Sequence, residues 1–549
     1  MKRCFRSSLA TTLISTLALA AGLLVSGCGQ GGRETNVSTG NRDQILHLGN
    51  HSEPNDLDPH LADSAQTFNI VMAFFEGLAQ YDPQTAQPVP AVAERWESNP
   101  EATLWTFHLR ANAVWSDGKP VTAHDFVFAY RRILSPTLAA EYASALYPIK
   151  NAQEYNSGKI TDATQVGVRA ADDRTLVIEL NYPVPYLPTM VCHSGWYPLP
   201  KSVLEKHGPT DRRGNVWTRP GNLVGNGYMV LSEWKPNQYI AGTKSPTYWD
   251  RDNVKLAGVR FYPIDSEDAE ERSFRSGQLH ATSSLPISKI PVYRANPEGV
   301  FNPSPMLATY YLRFNYNKPP LNDVRVRRAL SLAINRESMV RDVLTGGQPP
   351  AGNLTPPDTA GFNAKNGVSY DLETARKLLA EAGYPEGKGF PKLEYLYNTS
   401  EGHRIIAEAL QQMWRKGLGI DITLVNQEAK VWSDTMKNGD YQIGRMAWVG
   451  DYFEPSTFLE LMTSTSGNNQ TNWKSEEYDR LYAQAIRTVD ETQRYALYQR
   501  LEDIIATEAP IAPIYFYMRN NLVRPEVKGW YRNLLDYHPL KGVYLEAGK

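Results

Sequence analysis

Cysteine is scarce in this sequence, and what little there is leaves no room for a disulfide scaffold. The 549 residues contain three cysteines, Cys4, Cys28 and Cys192. The first two lie in a leader-like N-terminus, so stability has to come from core burial rather than cross-links. An excess of one charge is also missing. Fifty-seven basic and 59 acidic residues give a formal net charge of −2, without a like-charge block. An extended nucleic-acid surface is therefore excluded, and no nucleic-acid partner is expected. Beyond residue 25 no apolar run is long enough to span a membrane. Neither H-E-x-x-H nor G-x-S-x-G occurs, which weighs against a hydrolase. Ser232 to Lys235 reads S-x-x-K but has no S-D-N or K-T-G companion, and one isolated match is expected by chance in a chain this long. His47 and His51 would suit a metal only on a helix, whereas ILHLGNH reads as strand and loop. No metal, cofactor or catalytic residue is expected, and no repeat of 20 to 50 residues appears.

Aromatic residues, in contrast, are plentiful. They make up 11 % of the chain, with 31 tyrosines and 12 tryptophans, while a mean hydropathy of −0.45 indicates a water-exposed body. The length allows two to four domains and ample core. At the N-terminus, Lys2, Arg3 and Arg6 precede an apolar stretch from Leu9 to Val25, and small residues stand before Cys28, the layout of an export signal over residues 1–27. Leu24-Val25-Ser26-Gly27-Cys28 resembles a bacterial lipobox, in which the cysteine becomes the lipid-bearing first residue of the mature chain. Acyl chains there would hold the protein at a membrane without a spanning helix. Residues 28–43, polar and glycine-bearing, read as a flexible tether, with the body beginning at Gln44.

Strands and helices then alternate irregularly. ILHLGN opens with a strand, NDLDPH supplies a turn and TFNIVMAFFEGLAQYD has helical spacing. LWTFHLR reads as a strand, and Thr122 with Asp125 three residues on is a capping-box variant at a helix start. RTLVIELNYPVPYLPTM is a strand broken by prolines, and VWTRPGNLVGNGYMVLSEW is a glycine-rich turn between strands. VRFYPI and ATYYLRFNY are β-type. VRVRRALSLAI, LETARKLLAEAGY and HRIIAEALQQMWRKGLG are helices, followed by the strands IDITLVNQE and YQIGRMAWVG. The class is mixed α/β.

One stretch poses a physical question. RMAWVGDYFEP, residues 445–455, sets Arg445 and Asp451 six residues apart around an apolar run that reads as a strand entering a turn. Burying either charge alone costs on the order of several kcal/mol. Each therefore needs a partner.

WTFHLRANAVWSDGKPVTAHDFVFAY at 105–130, SPTYWD at 245–250, KPPLNDVRVRRAL at 318–330, ARKLLAEAGY at 375–384, LYNTSEGH at 396–403, RMAWVGDYFEPSTFL at 445–459 and PIYFYMRNNLV at 513–523 together resemble the peptide-binding branch of the solute-binding proteins that serve ABC transporters. They run in family order over almost the whole mature chain. The resemblance implies a two-lobe periplasmic-binding-protein fold with a two-strand hinge and an extra domain on the first lobe. Its first lobe would comprise 44–77, 203–306 and a return at 520–549, the extra domain 78–202 and the second lobe 307–519. Lobe closure would bury the ligand, driven by tighter binding to the closed form.

A free peptide has invariant charged ends and variable side chains, so a sequence-tolerant receptor fixes the ends and the main chain. On the resemblance, Asp451 takes the α-ammonium and Arg445 a carboxylate through its planar fork. Between them the backbone of Ala447 and Val449 adds the ligand as an extra strand. On a strand six residues span roughly 20 Å and end on the same face, longer than a tripeptide, so Arg445 must reach inward or the strand must bend. The resemblance also implies His403 as a carboxylate contact for longer peptides, Asn398 on the same wall, Trp448 as a pocket wall, and Tyr142 and the main chain near Ala65 on the opposite lobe. Several positions depart from the family pattern. Arg313 stands for an acidic residue, Leu344 for a basic one, Ala429 for a tryptophan and Met229 for a tyrosine, while Ala308 and Val449 replace cysteines that pair in relatives. Arg313 and Ala429 are thus candidates for a rearranged pocket. The expected protein is a monomeric lipoprotein of the periplasm or cell envelope, anchored at Cys28, that hands short peptides to a membrane permease driven by a separate ATPase. A receptor narrowed to one ligand, such as a cell-wall-derived peptide or a dipeptide, is the alternative, and an exported hydrolase the remote one.

Overall fold

The computed structural model describes residues 34–62, 64–296 and 299–546; the expected export signal, Cys28 and the first part of the expected tether lie outside them. The tether expected to run to residue 43 ends earlier, because Asn36–Asp43 forms helix α1. Thr35 and Ser38 cap it reciprocally, Thr35 Oγ1 accepting the Ser38 N–H at 3.1 Å and Ser38 Oγ accepting the Thr35 N–H at 2.9 Å. Val37 is buried, and its N–H donates to Gly277 O at 3.0 Å. A short polar helix with a single buried apolar residue has no hydrophobic period by which a sequence reveals it. Strand β1 (Ile45–Gly49) follows, then helix α2 (Ala65–Phe74), whose buried face is Ile70, Val71, Ala73 and Phe74.

Between them, NDLDPH is more than a turn. Asp58 is buried and pairs with Arg132 at 2.6 Å, and the indole N–H of Trp217 donates to the same Asp58 oxygen at 3.1 Å. Charge-assisted bonds of this kind keep a buried carboxylate from the penalty of standing alone. Arg132 lies on helix α3, so three distant stretches of chain are tied at one point. That helix belongs to a unit built from β2 (Ala93–Ser98), β3 (Leu104–Leu109), α3 (Ala123–Ile133), β4 (Val168–Asp172) and β5 (Thr175–Glu179). The four strands form an antiparallel sheet in the order β2-β3-β5-β4. Asp125 Oδ2 accepts the Thr122 N–H at 2.8 Å, the capping contact expected at the start of α3, and Phe126, Ala129, Tyr130 and Ile133 are buried along it.

Strands β6 (Met229–Lys235), β7 (Tyr239–Lys244) and β8 (Gly258–Tyr262) join β1 in a second sheet, ordered β1-β8-β7-β6, in which only the β1–β8 pair is parallel. The glycine-rich segment before β6 is not a simple strand-to-strand turn. It includes a 3-10 turn at Val216–Thr218 and passes against the end of α2, where a Cβ on Gly225 would meet Phe74 O at 2.1 Å and one on Gly227 would meet Phe74 C at 2.5 Å. Only glycine allows that approach. Met229 then starts β6 as a buried core residue.

The remaining chain centres on a five-stranded sheet. Its elements are β9 (Phe301–Phe314), α4 (Val324–Leu332), α5 (Leu372–Glu381), β10 (Leu393–Asn398), α6 (Glu401–Leu418), β11 (Ile422–Gln427), α7 (Ala429–Asn438), β12 (Ile443–Val449), α8 (Glu491–Glu508) and β13 (Ile511–Leu522). The order is β11-β10-β12-β9-β13. Ile406, Ala407, Leu410, Trp414 and Leu418 form the buried stripe of α6, and Gly419 closes it at φ 71°. The long antiparallel pair β9–β13 runs from Phe301↔Leu522, beside the bridges Leu48↔Ala281 and Ala281↔Val523 of the first region, into the five-stranded sheet. Two strands therefore connect the body built on the β1-β8-β7-β6 sheet with the one built on the five-stranded sheet.

Candidate functional site

Strand β12 carries the RMAWVGD segment, and its two edges are treated differently. Along one edge it pairs with β9 from Phe314↔Ile443 to Ala308↔Val449. Along the other, β10 covers only Ile443 and Gly444. Among the described residues, 445–449 thus have no strand partner on that side. An unpaired edge of this sort offers main-chain donors and acceptors to an added strand.

Arg445 stands at one end. It is half-buried; it donates to Tyr517 Oη at 2.9 Å and to Asn398 Oδ1 at 3.3 Å, and its guanidinium lies 5.0 Å from the Tyr310 ring centroid and 5.9 Å from that of Trp432. These hydrogen-bond partners are neutral, and the Arg445 Nε–H is buried without one. His403, in the first turn of α6, stacks obliquely at 5.7 Å from Tyr310. Burial, and then the neighbouring Arg445, pushes its pKa down to about 3, so the imidazole is neutral; its Nδ1 is buried and unpartnered. The cluster is an arginine fork among neutral aromatic and amide groups, complementary to a carboxylate.

Asp451 stands at the other end, after the strand has turned at Gly450. Its main-chain N–H donates to Thr457 Oγ1 at 3.0 Å, but its carboxyl has no cationic partner among the described residues. Burial, and then the field of Glu460, pushes that carboxyl up to about 7. An acid in this state is stabilised by an incoming cation, whose charge returns it to the ionised form. Between the two ends, Ala447 is half-buried and Val449 is 57 % exposed. Trp448 is half-buried and keeps its indole N–H buried and unpartnered.

Arg445, His403 and Asn398 are thus brought into one group. Ala65 and Tyr142 lie apart from that group, at α2: Ala65 opens the helix, exposed, and the Tyr142 ring lies 5.5 Å from that of Phe68, on the same helix, and 5.0 Å from that of His193. Ala65 also lines a cavity of mixed polarity with Asn50, Asn69, Met72, Phe261, Trp530 and His538. Arg313 does not join the cleft group. It is buried and spends its guanidinium on Gln470 Oε1 at 2.5 Å and Asn468 O at 2.7 Å, a tie between β9 and the 468–470 loop. The expectation that it meets ligand gives way to that role, since neighbours on a strand face opposite sides and Arg313 is the partner of Gly444, not of Arg445. Leu344 fills the core beside α6.

Ala429 is exposed at the start of α7. Trp432, one turn later, supplies the indole beside Arg445. Sequence reasoning missed Trp432, Tyr310 and Tyr517, which come from three separate elements. Their only signal was aromatic abundance. Ala308 and Val449, expected where relatives carry paired cysteines, are direct partners across the β9–β12 ladder. The S-x-x-K match dissolves: Ser232 Oγ donates to Ala241 O at 3.0 Å and Lys235 Nζ to Tyr239 Oη at 2.7 Å. His47 lies in β1 with Nδ1 2.8 Å from Tyr262 Oη, and no group of three metal-binding side chains occurs among the described residues.

The family model described as bacterial extracellular solute-binding proteins, family 5 Middle, matches residues 87–470. The chain belongs to that family. Among family-5 relatives, the periplasmic oligopeptide-binding protein OppA of Salmonella typhimurium is 39 % identical over 512 residues, covering 91 % of this chain and 92 % of the relative. The periplasmic murein peptide-binding protein MppA of Escherichia coli is 39 % identical over 487 residues, covering 87 % and 88 %. A crystal structure of Haemophilus influenzae OppA in complex with RPPGFSPFR superimposes with a TM-score of 0.78 at 34 % identity, covering 92 % of this chain and 99 % of that one. The two sheet-centred bodies are accordingly the lobes of the family-5 periplasmic-binding-protein fold.

Proposed function

We propose that this family-5 protein captures short peptides between its lobes and delivers them to the permease of an ABC importer powered by a separate ATPase. One observation carries the reading: a half-buried carboxyl at Asp451, with no cation beside it among the described residues, stands at one end of a strand edge that no described strand pairs, with Arg445 at the other. An α-ammonium, an extended main chain and a carboxylate satisfy these three features in order. Tyr142 and the Ala65 main chain close over the ligand from the opposite lobe, with lobe boundaries at 306/307 and 519/520 and the extra domain at 78–202. Ala429 leaves room for a larger ligand side chain than a tryptophan there would.

On this reading the protein is a monomeric receptor without catalytic residues or cofactor, held at the cell envelope by lipid on Cys28. Among the described residues no helix is long and apolar enough to cross a membrane. Native mass spectrometry of the mature protein gently released from its host tests the assignment: a series of masses from mixed peptides of about three to five residues supports it, and absence of any peptide contradicts it. A second reading, selectivity for one cell-wall-derived peptide, is favoured by the likeness to the murein peptide-binding relative. It would give a single mass instead.

A further inference from the structure

Around Arg445 two parallel strands end and two helices begin. Strand β10 stops at Asn398 and β11 at Gln427, and α6 and α7 follow from Glu401 and Ala429. Ser400, at the N-cap of α6, makes no side-chain cap bond, and an uncapped helix start favours an anion. Asn398 and Gln427 are register partners in the parallel β10–β11 pair, so their side chains project from the same face of the sheet. Asn398 accepts from Arg445 at 3.3 Å. Val425, two residues before Gln427 and on its face, packs in one cluster with Trp432 of α7, whose ring lies 5.9 Å from the Arg445 guanidinium. Gln427 is thereby flanked by the amide that holds Arg445 and by the indole that stands beside it.

Four polar atoms of this group are buried without a partner among the described residues: Arg445 Nε, Trp432 Nε1, His403 Nδ1 and Gln427 Oε1. Folded interiors leave few such atoms, each at a cost, so four around one arginine mark a place completed from outside the chain. Their chemistry is mixed. The arginine and indole nitrogens only donate and match an anionic oxygen, whereas the Gln427 oxygen only accepts and needs an N–H. A neutral His403 does either, according to its tautomer. The last residue of a peptide carries both complements, a carboxylate and an amide N–H on one α-carbon. A C-terminal amide lacks the anion, and a C-terminal proline lacks the N–H.

We infer that Trp432 and Gln427 are specificity-determining residues that complete a subsite for the ligand's last residue, the Trp432 indole donating to its carboxylate beside Arg445 and Gln427 accepting its amide N–H. The inference rests on the peptide-binding reading and deepens it: the receptor selects against peptides that end in proline or in an N-methylated residue. Arg445 alone answers only to the charge and draws no such distinction.

The test is calorimetry on protein freed of co-purified ligand, with alanine peptides of about three to five residues ending in glycine, each paired with the form ending in sarcosine, which carries an N-methyl in place of that N–H. At the length that binds tightest, wild type should hold the glycine form about tenfold tighter, and in Gln427→Leu this ratio should fall to about twofold or less. Trp432→Phe, which keeps a ring beside Arg445 and removes the N–H, should weaken the glycine-ended free acid about tenfold and its C-terminal amide by less than about twofold. Equal affinities of the glycine and sarcosine forms in wild type, a comparison that needs no variant to fold, would overturn the inference while leaving peptide binding intact. So would an undiminished ratio in a folded Gln427→Leu, or equal losses for acid and amide in Trp432→Phe. Failure of wild type to bind any of these peptides, or any member of a mixed set of the same lengths, would overturn the peptide reading and this inference with it.

Discussion

Arg445 and Tyr517 are joined by a 2.9 Å hydrogen bond that crosses from β12 to β13, two strands that are not neighbours in the sheet. Tyr310, on the intervening β9, lies beneath the guanidinium at 5.0 Å. The arginine is therefore held by neutral groups with its charge still available. Arg445→Met should weaken binding of peptides whose carboxylate it holds by about 2–5 kcal/mol, as when one partner of a buried charge pair is removed. Tyr517→Phe, which removes only an aligning bond, should cost about 0.5–1.5 kcal/mol. Calorimetry with free and C-terminally amidated forms of one peptide separates the effects: the Arg445→Met loss should vanish for the amide.

Asp451 makes the unliganded protein sensitive to pH in a defined direction. Its carboxyl titrates near 7 in the folded chain against an ordinary value of 3.8, so the folded state keeps a proton that the unfolded state releases. The associated stability is fully present below about pH 4 and is lost as pH rises through 7, an effect of about 2–4 kcal/mol. Asp451→Asn should melt higher than wild type at pH 8, with the gap narrowing toward pH 5. Peptide binding should reverse the shift. The ligand ammonium draws the carboxyl to its ionised form, so near pH 6.5 binding releases a proton, visible as a buffer-dependent calorimetric enthalpy that Asp451→Asn lacks.

The Asp58–Arg132 pair joins the loop after β1 to α3, with both side chains almost wholly buried. Asp58→Ala leaves a buried guanidinium without its counter-charge and should cost about 3–5 kcal/mol, read as a lower urea midpoint. Adding Arg132→Met should recover part of that loss, because the double variant buries no unmatched charge.

Ala308 and Val449 face each other across β9 and β12. The double variant Ala308→Cys with Val449→Cys should cross-link in air, since opposed strand residues bring their Cβ atoms within about 5.5 Å. Closing so long a loop should stabilise the protein by up to about 4–5 kcal/mol. Thiol titration and melting with and without reductant check both statements.

The strands and helices with a strong period were legible in the chain, and so was the capping contact at Thr122 and Asp125. What escaped were features that depend on distant contacts. Helix α1 has too little apolar surface to show a period and is held by a reciprocal cap and by Gly277. NDLDPH reads locally as a turn, but Asp58 acquires its meaning from Arg132 and Trp217 far along the chain. At the site, Arg445 and Asp451 stood out because two charges flank an apolar run. Their surroundings did not, since Tyr310, Trp432 and Tyr517 converge only through the β9-β12-β13 arrangement and α7. The surroundings of Arg313 are hidden for the same reason: its charge is visible in the chain, while the 468–470 loop that binds its guanidinium is more than 150 positions away.

On the proposed reading Asp451 holds the free amino end of a bound peptide. Native mass spectrometry of the ligand-free protein mixed with equal amounts of free and N-acetylated forms of the same tri- to pentapeptides tests it most directly. Adducts should form with the free peptides and be lost in Asp451→Asn. Equal occupancy by the acetylated peptides, or free-peptide adducts undiminished in Asp451→Asn, would contradict it.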